Sequence, residues 1–236
     1  MFEAIVFDWD GTAVPDRQSD ASEVRDRVES LSARGVHTIV VTGTHVDNVD
    51  RQLRARPDGP GRLFLCCNRG SEVFAGAVGG PELLFRRTAT PDENRALDRA
   101  AEQTVQALGT RGLEASIVSE RLNRRKIDLI PTSEWADPRK ADIDRLLKAV
   151  DARLAAVGIA NLSEVVSLAF DVSRSAGLAD PRVTSDVKHI EIGLTDKSDS
   201  ARWSADWLAR RGVTGGLVLL AGDEFGPVGG VVGSDS

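Results

Sequence analysis

"IVFDWDGTAV", residues 5–14, runs three apolar residues into two aspartates one position apart and then into Gly11-Thr12. Carboxylates this close repel and raise each other's pKa, so the pattern calls for a cation or a chemical task. Its apolar half, "EAIVF", is short, rich in branched residues and ends at an Asp-Gly turn, which predicts a strand buried on both faces. An EF-hand calcium loop does not fit, because such a loop needs glycine at its sixth position and a distant Glu, whereas Gly11 falls at the fourth.

Outward from this stretch, Val24, Val28 and Leu31 recur at helical spacing behind Ser19 or Asp20 as N-cap, with Gly35 as the stop. "VHTIVV" then predicts a strand leading into Thr42, Val46, Val49 and Leu53 a helix, and "RLFLCC" a third strand. Strands alternating with helices imply right-handed crossovers and a parallel sheet, closed here by "SEVFAG" as a small hairpin or edge piece.

From Phe85 to Lys188 the pattern changes. A helix carrying Leu97, Ala101, Val105 and Leu108 precedes "LEASIVS" and "KIDLI", two strands joined by the basic turn "RLNRR". A second helix carries Ile143, Leu146, Leu147, Val150, Leu154 and Val157 up to Gly158, and "VVSLAFDV" and "VKHIEI" read as two more strands. The resulting αββαββ order predicts an inserted α+β domain over 86–188, with the parallel-sheet core at 1–85 and 189–236. Past the insert, a helix with Ala201, Ala205 and Leu208 and the strand "GLVLLA" restore the α/β pattern, and "FGPVGGVVGSDS" shows no clear element.

Composition bounds the function. Across 236 residues, 36 acidic against 30 basic side chains leave a net charge of -6, which argues against nucleic acid as the main partner. Cys66 and Cys67 sit in an apolar run and read as buried strand residues in a reducing compartment. No stretch approaches a membrane span, and the N-terminus enters a strand without a signal-peptide pattern, so the expected location is cytoplasmic.

In open α/β sheets, ligands sit at the carboxyl ends of the strands. Asp8 and Asp10 follow the first strand, Thr42 the second and Asp223 the last, while Lys197 opens a helix. Together they suit Mg²⁺, which takes oxygen ligands with water and phosphate completing its shell, and the paired aspartates read as a nucleophile and a proton-transfer group.

The order "DWDGT", "VVTGT", "TDKSDSARW", "LLAGDE" resembles the four motifs of the haloacid dehalogenase (HAD) superfamily, and the insert resembles the C2-type cap of its phosphosugar phosphatases. That resemblance implies a Rossmann-like core with an αββαββ cap and an aspartyl-phosphate mechanism acting on a small phosphate ester. Asp8 would attack phosphorus, and Asp10 would protonate the leaving oxygen and later activate water. Thr12 would brace the turn at the phosphate site, Thr42 and Gly43 would grip the phosphate, and Lys197 would neutralise it. Asp8, the Asp10 carbonyl and Asp223 would bind Mg²⁺. The family's further acid, three or four residues beyond the first in the last motif, is missing from "GDEFGPVGG", leaving adjacent Glu224 or a water to complete the shell. The family also adds strand and helix after this motif, so a chain ending at Ser236 is expected to be a piece of a longer polypeptide.

In the insert, Arg121, Arg124, Arg125 and Lys126 read equally as a solvated turn or as a cap loop holding an anionic or hydroxylated group, for which Arg124 and Arg125 offer planar forks. Trp203 and Trp207, at i and i+4, read as core packing, and His45 is the histidine placed to touch substrate. A phosphomutase with the same nucleophile, or a ligand-binding module without turnover, fits the same motifs.

Overall fold

A computed structural model describes residues 2–136, 138, 142–227, 229–233 and 235, with only the backbone of Ser119 and Glu120. The chain divides into two compact units: one spans 2–87, 196–223 and 235, the other 88–195 and 224–233.

The first unit opens with β1 (Ala4–Asp8), α1 (Ser22–Ala33), β2 (His37–Val41), α2 (Val46–Leu53), β3 (Leu63–Cys67), β4 (Glu72–Ala75) and β5 (Glu82–Arg86). The second holds α3 (Pro91–Thr110), β6 (Ser116–Arg121), β7 (Arg124–Asp128), α4 (Ile143–Ala156), α5 (Leu162–Ser175), β8 (Arg182–Ser185) and β9 (His189–Gly193). The chain then returns to the first unit with α6 (Lys197–Ala209) and β10 (Val218–Ala221).

The first unit's sheet has the order β10-β1-β2-β3-β4-β5. Its first four strands are parallel, and β4 and β5 extend it as an antiparallel hairpin. Strands β2 and β3 carry runs of Val, Ile, Leu and Cys that are buried on both faces, as a parallel sheet between helices requires. Cys66 and Cys67 are free and fully buried, and burial pushes the Cys66 thiol up to about 12. Helix α1 begins at Ser22, later than a Ser19 or Asp20 cap implies; Ala21 sits at its N-cap without a side-chain bond, while Asp20 accepts the Ser22 N–H at 3.3 Å. Gly35 follows with φ +85°, the left-handed conformation that ends a helix.

Helix α6 buries Ser200, Ser204, Trp207 and Leu208, whereas Ala201 and Ala205 lie exposed. The periodicity of the alanines is therefore not the packed face. The aromatic side chains decide it, because Phe64 on β3 meets the Trp203 and Trp207 rings edge-on at centroid distances of 5.2 and 4.5 Å.

In the second unit the antiparallel sheet runs β6-β7-β9-β8 and buries Ile127, Ile190 and Ile192 with residues of α3, α4 and α5. The αββαββ reading fails at "VVSLAFDV", which is helix α5, so the order is αββααββ and the third strand is β8. Paired valines favoured a strand, but Leu162, Val165, Ala169 and Ser173 form the buried stripe of a helix. Asn161 caps it by accepting the Glu164 N–H at 3.0 Å. Strand β9 pairs with β7 and β8, so this sheet extends through Gly193.

Candidate active site

Asp8 is the last residue of β1, and its register partner on β2 is Val41, so Asp8 and Thr42 leave the sheet at neighbouring strand ends. Beyond Asp8 the chain turns tightly. Ala13 and Val14 donate their N–H groups to the Trp9 carbonyl at 3.0 and 3.1 Å, and Gly11 N–H donates to the Val14 carbonyl at 2.8 Å. Trp9, fully buried, anchors the turn by donating its indole N–H to Gln52 Oε1 at 2.9 Å.

Gly11 is required twice over. Its φ is +96°, and a Cβ there would lie 2.5 Å from Asp223 Oδ2. The turn after the first strand thus forms a wall against the carboxylate that follows the last strand, and Thr12 Oγ1 donates to Asp223 Oδ1 at 3.2 Å. Gly11→Ala is expected to displace the Asp223 carboxylate and destabilise the fold by ~1–3 kcal/mol through backbone strain. Denaturant unfolding checks this; an unchanged midpoint would contradict it.

Lys197, the first residue of α6, sits where a cation opposes the helix dipole, behind an Asp196 cap that forms a reciprocal capping box with Asp199. Its ammonium reaches Asp8 Oδ1 at 2.8 Å and Asp235 Oδ1 at 2.6 Å. All three side chains are largely buried, with 7–11% of their surface exposed. Carboxylate oxygens of Asp8, Asp223 and Asp235 lie within 4.8 Å of one another. Asp235 completes this group where the sequence reading offered Glu224; among the described residues, neither Glu224 nor the Asp10 side chain belongs to it. Asp10 instead places Oδ2 3.4 Å from Arg17 Nε, while its Oδ1 is buried without a hydrogen-bond partner.

Burial raises the Asp8 pKa from 3.8 to about 6; Lys197 offsets part of that, and Asp235 adds to it. At ~1.4 kcal/mol per pKa unit, holding Asp8 ionised costs ~3 kcal/mol. The folded-state pKa exceeds the unfolded one, so this cost builds as pH rises from about 4 to about 6 and persists above. In chelator at pH 8, Asp8→Asn is therefore expected to stabilise the chain by up to ~3 kcal/mol, with the gain vanishing near pH 4. Equal unfolding midpoints at both pH values would contradict this.

The donor set suits a hard divalent cation. It is all oxygen: the buried Asp8, the partly buried Asp235 and the exposed Asp223 bring three carboxylates together. The partnerless Asp10 Oδ1 and the cradle at Gly11 point the same way.

Thr42 is buried, and its Oγ1 accepts the Thr44 N–H at 3.2 Å. Sequence reasoning missed Arg69, whose N–H donates to the Thr42 carbonyl at 3.1 Å and whose side chain lies 3.5 Å from where a Gly43 Cβ would stand. It is 9% exposed with φ +50°, so the loop after β3 holds a guanidinium against the Thr42-Gly43 turn. The signal available was a basic residue directly beyond an apolar strand. His45 caps α2, its Nδ1 accepting the Asp47 N–H at 3.2 Å.

Arg124 and Arg125 belong to the other unit and are not a solvated turn. Both lie in β7 and are buried, and the turn itself is Leu122-Asn123. Arg125 donates to Asp98 Oδ1 at 2.5 Å and to the Arg124 carbonyl at 3.1 Å, facing α3. Arg124 lies on the opposite face, 3.5 Å from Glu191, which also pairs with Lys126 at 3.3 Å.

No helix among the described residues is long and apolar enough to cross a membrane. No family profile matches the sequence, and no curated protein does. Solved structures do. IMP-nucleotidase from Plasmodium falciparum superposes with a TM-score of 0.60 at 11% identity, over 99% of this chain and 61% of that one. A protein from Eubacterium rectale gives 0.55 at 13% identity, over 94% and 81%. BT1666 from Bacteroides thetaiotaomicron, described among phosphatases of the HAD superfamily, gives 0.51 at 13% identity, over 94% and 78%. This chain therefore spans less than two thirds of the IMP-nucleotidase. Likeness at 11–13% identity is likeness of fold, and this chain shares its fold with these structures.

Proposed function

We propose that this chain is a Mg²⁺-dependent phosphatase of small phosphorylated metabolites that works through an aspartyl-phosphate on Asp8. The observation that carries the reading is a buried carboxylate at a strand end, bonded to the Lys197 ammonium at 2.8 Å, two residues before an aspartate whose Oδ1 has no partner.

An Asp8 oxygen attacks phosphorus, the P–O bond to the leaving group breaks, and Asp10 gives that oxygen its proton. Asp10 then takes a proton from water as the water attacks phosphorus, which frees the Asp8 carboxylate and releases phosphate. Splitting hydrolysis into two displacements lowers each barrier. Lys197 is positioned by Asp8 and meets charge that builds on the phosphoryl oxygens, where phosphoryl transfer is mainly electrostatic. Thr42, the Gly43 amide and the Arg69 guanidinium serve as phosphate grips. Asp8, the Asp10 carbonyl and Asp223 would hold a Mg²⁺ ion, which would supply charge neutralisation at the phosphoryl group.

The insert would select the substrate. Arg124, Arg125 and Lys126 each meet a carboxylate of their own unit, Arg125 at Asp98 and the other two at Glu191. A sugar phosphate remains the favoured class, and the IMP-nucleotidase likeness adds a nucleoside monophosphate to the candidates. The test is phosphate release from sugar phosphates, IMP and an aryl phosphate, with Mg²⁺ or chelator. Mg²⁺-dependent release supports the reading; no release from any ester in Mg²⁺-saturated, folded protein overturns it in favour of a ligand-binding module.

A further inference from the structure

Strand β5, "ELLFR", has an acid at one end, a base at the other and three large apolar residues between them. It is an edge of the first unit's sheet, so one row of its backbone N–H and C=O groups meets no neighbouring strand. All five residues are exposed, with Leu83, Leu84 and Phe85 keeping 46%, 54% and 46% of their surface in water. Edges are commonly guarded by charges or prolines along the strand, and β5 carries charge only at its ends.

Those charges suit a second copy of the same strand. Arg86 is held at 2.6 Å by the buried Glu72 carboxylate, yet half of its side chain stays in solvent. Glu82 has no ion-pair partner among the described residues. Two antiparallel copies of β5 with a two-fold axis at Leu84 place Glu82 opposite the second copy's Arg86, Leu83 opposite Phe85, and Leu84 opposite itself. A slip of two residues in either direction loses both ion pairs, so charge fixes the register. The sheet's other edge, β10, carries no charge to set one.

We propose that this chain self-associates through β5 into a two-fold dimer in which the two six-stranded sheets join edge to edge. Each β5 is used once, so assembly stops at two copies. A register shift beside Val73 and Phe74 gives β5 one residue more than β4, and the twist of such a bulge keeps the paired stretch short. The interface is therefore small, and a dissociation constant of ~10–100 µM is expected. Strand β5 holds none of the residues placed in the active site, so the proposal is independent of the phosphatase reading.

The test is sedimentation equilibrium of the full chain at low salt, from ~1 µM to ~1 mM, a range that brackets a weak interface. The parent is expected to pass from monomer to dimer, with amide exchange over 82–86 slowing as concentration rises. Leu84→Lys, which sets two ammonium groups together at the axis, is expected to stay monomeric. Glu82→Arg is expected to weaken association ~10-fold, because it turns both ion pairs into like-charge pairs. Both positions are exposed, so unfolding midpoints of the monomers are expected to match the parent's. Leu220→Lys, on β10, is expected to dimerise like the parent. A parent that stays monomeric throughout, one that assembles beyond two copies, or a dimer that either β5 substitution leaves unchanged overturns the proposal. So does a dimer abolished by Leu220→Lys.

Discussion

Asp8→Asn is expected to lower phosphate release by ~10⁴-fold or more, on the scale seen when a covalent nucleophile is removed. The amide keeps the shape of the side chain and a hydrogen-bonding oxygen toward Lys197, so the loss falls on kcat. The groups proposed to grip the phosphate, Thr42, Gly43 and Arg69, lie on the loops after β2 and β3. KM is therefore expected to move by less than ~10-fold. The variant is also expected to be more stable than the parent in chelator above pH 6, because it lacks the ionised carboxylate that burial disfavours. Lost activity with raised stability separates a functional carboxylate from a structural one. A variant that keeps a tenth of the parent's kcat would remove Asp8 from the chemistry.

Lys197→Met is expected to show the opposite pairing of effects. Activity falls ~10²–10³-fold, the loss typical of removing a preorganised charge from a developing anion. Stability falls too, since the change leaves Asp8 and Asp235 facing each other without the ammonium bonded to both. Removing one partner from a buried ion pair costs ~3–5 kcal/mol. Part of that loss is expected to return when Mg²⁺ is added, because in the proposed site the cation meets the Asp8 carboxylate. Thermal unfolding with and without Mg²⁺ measures the recovery, and equal destabilisation in both conditions would contradict the shared site.

That Asp8 and Asp223 lie close together was legible because each sits at or just past the end of an apolar strand, and those strands, β1 and β10, pair in parallel. Asp235 was not, because its place follows from a contact with Gly222, distant in sequence, that leaves no periodic trace. Arg69 escaped for the same reason: its position over Gly43 follows from the loop after β3 meeting the turn after β2. The core helices and strands followed from spacing, and the exception shows the limit. Val165 and Val166 suggested a strand in a segment whose buried residues repeat every three to four positions as helix α5. Arg124 and Arg125 looked like turn residues beside Leu122-Asn123, but cross-strand pairing carries both into β7, where Asp98 and Glu191 meet them.

The central claim is that phosphoryl transfer passes through Asp8. Protein quenched in acid during turnover of its best substrate, then digested and mapped by mass spectrometry, tests it directly. The expected result is a phosphoryl group on the peptide carrying Asp8, present only with Mg²⁺ and absent from Asp8→Asn. Steady turnover by the parent, with quenching fast enough to trap an acyl phosphate and no phosphoryl group on that peptide, would contradict it.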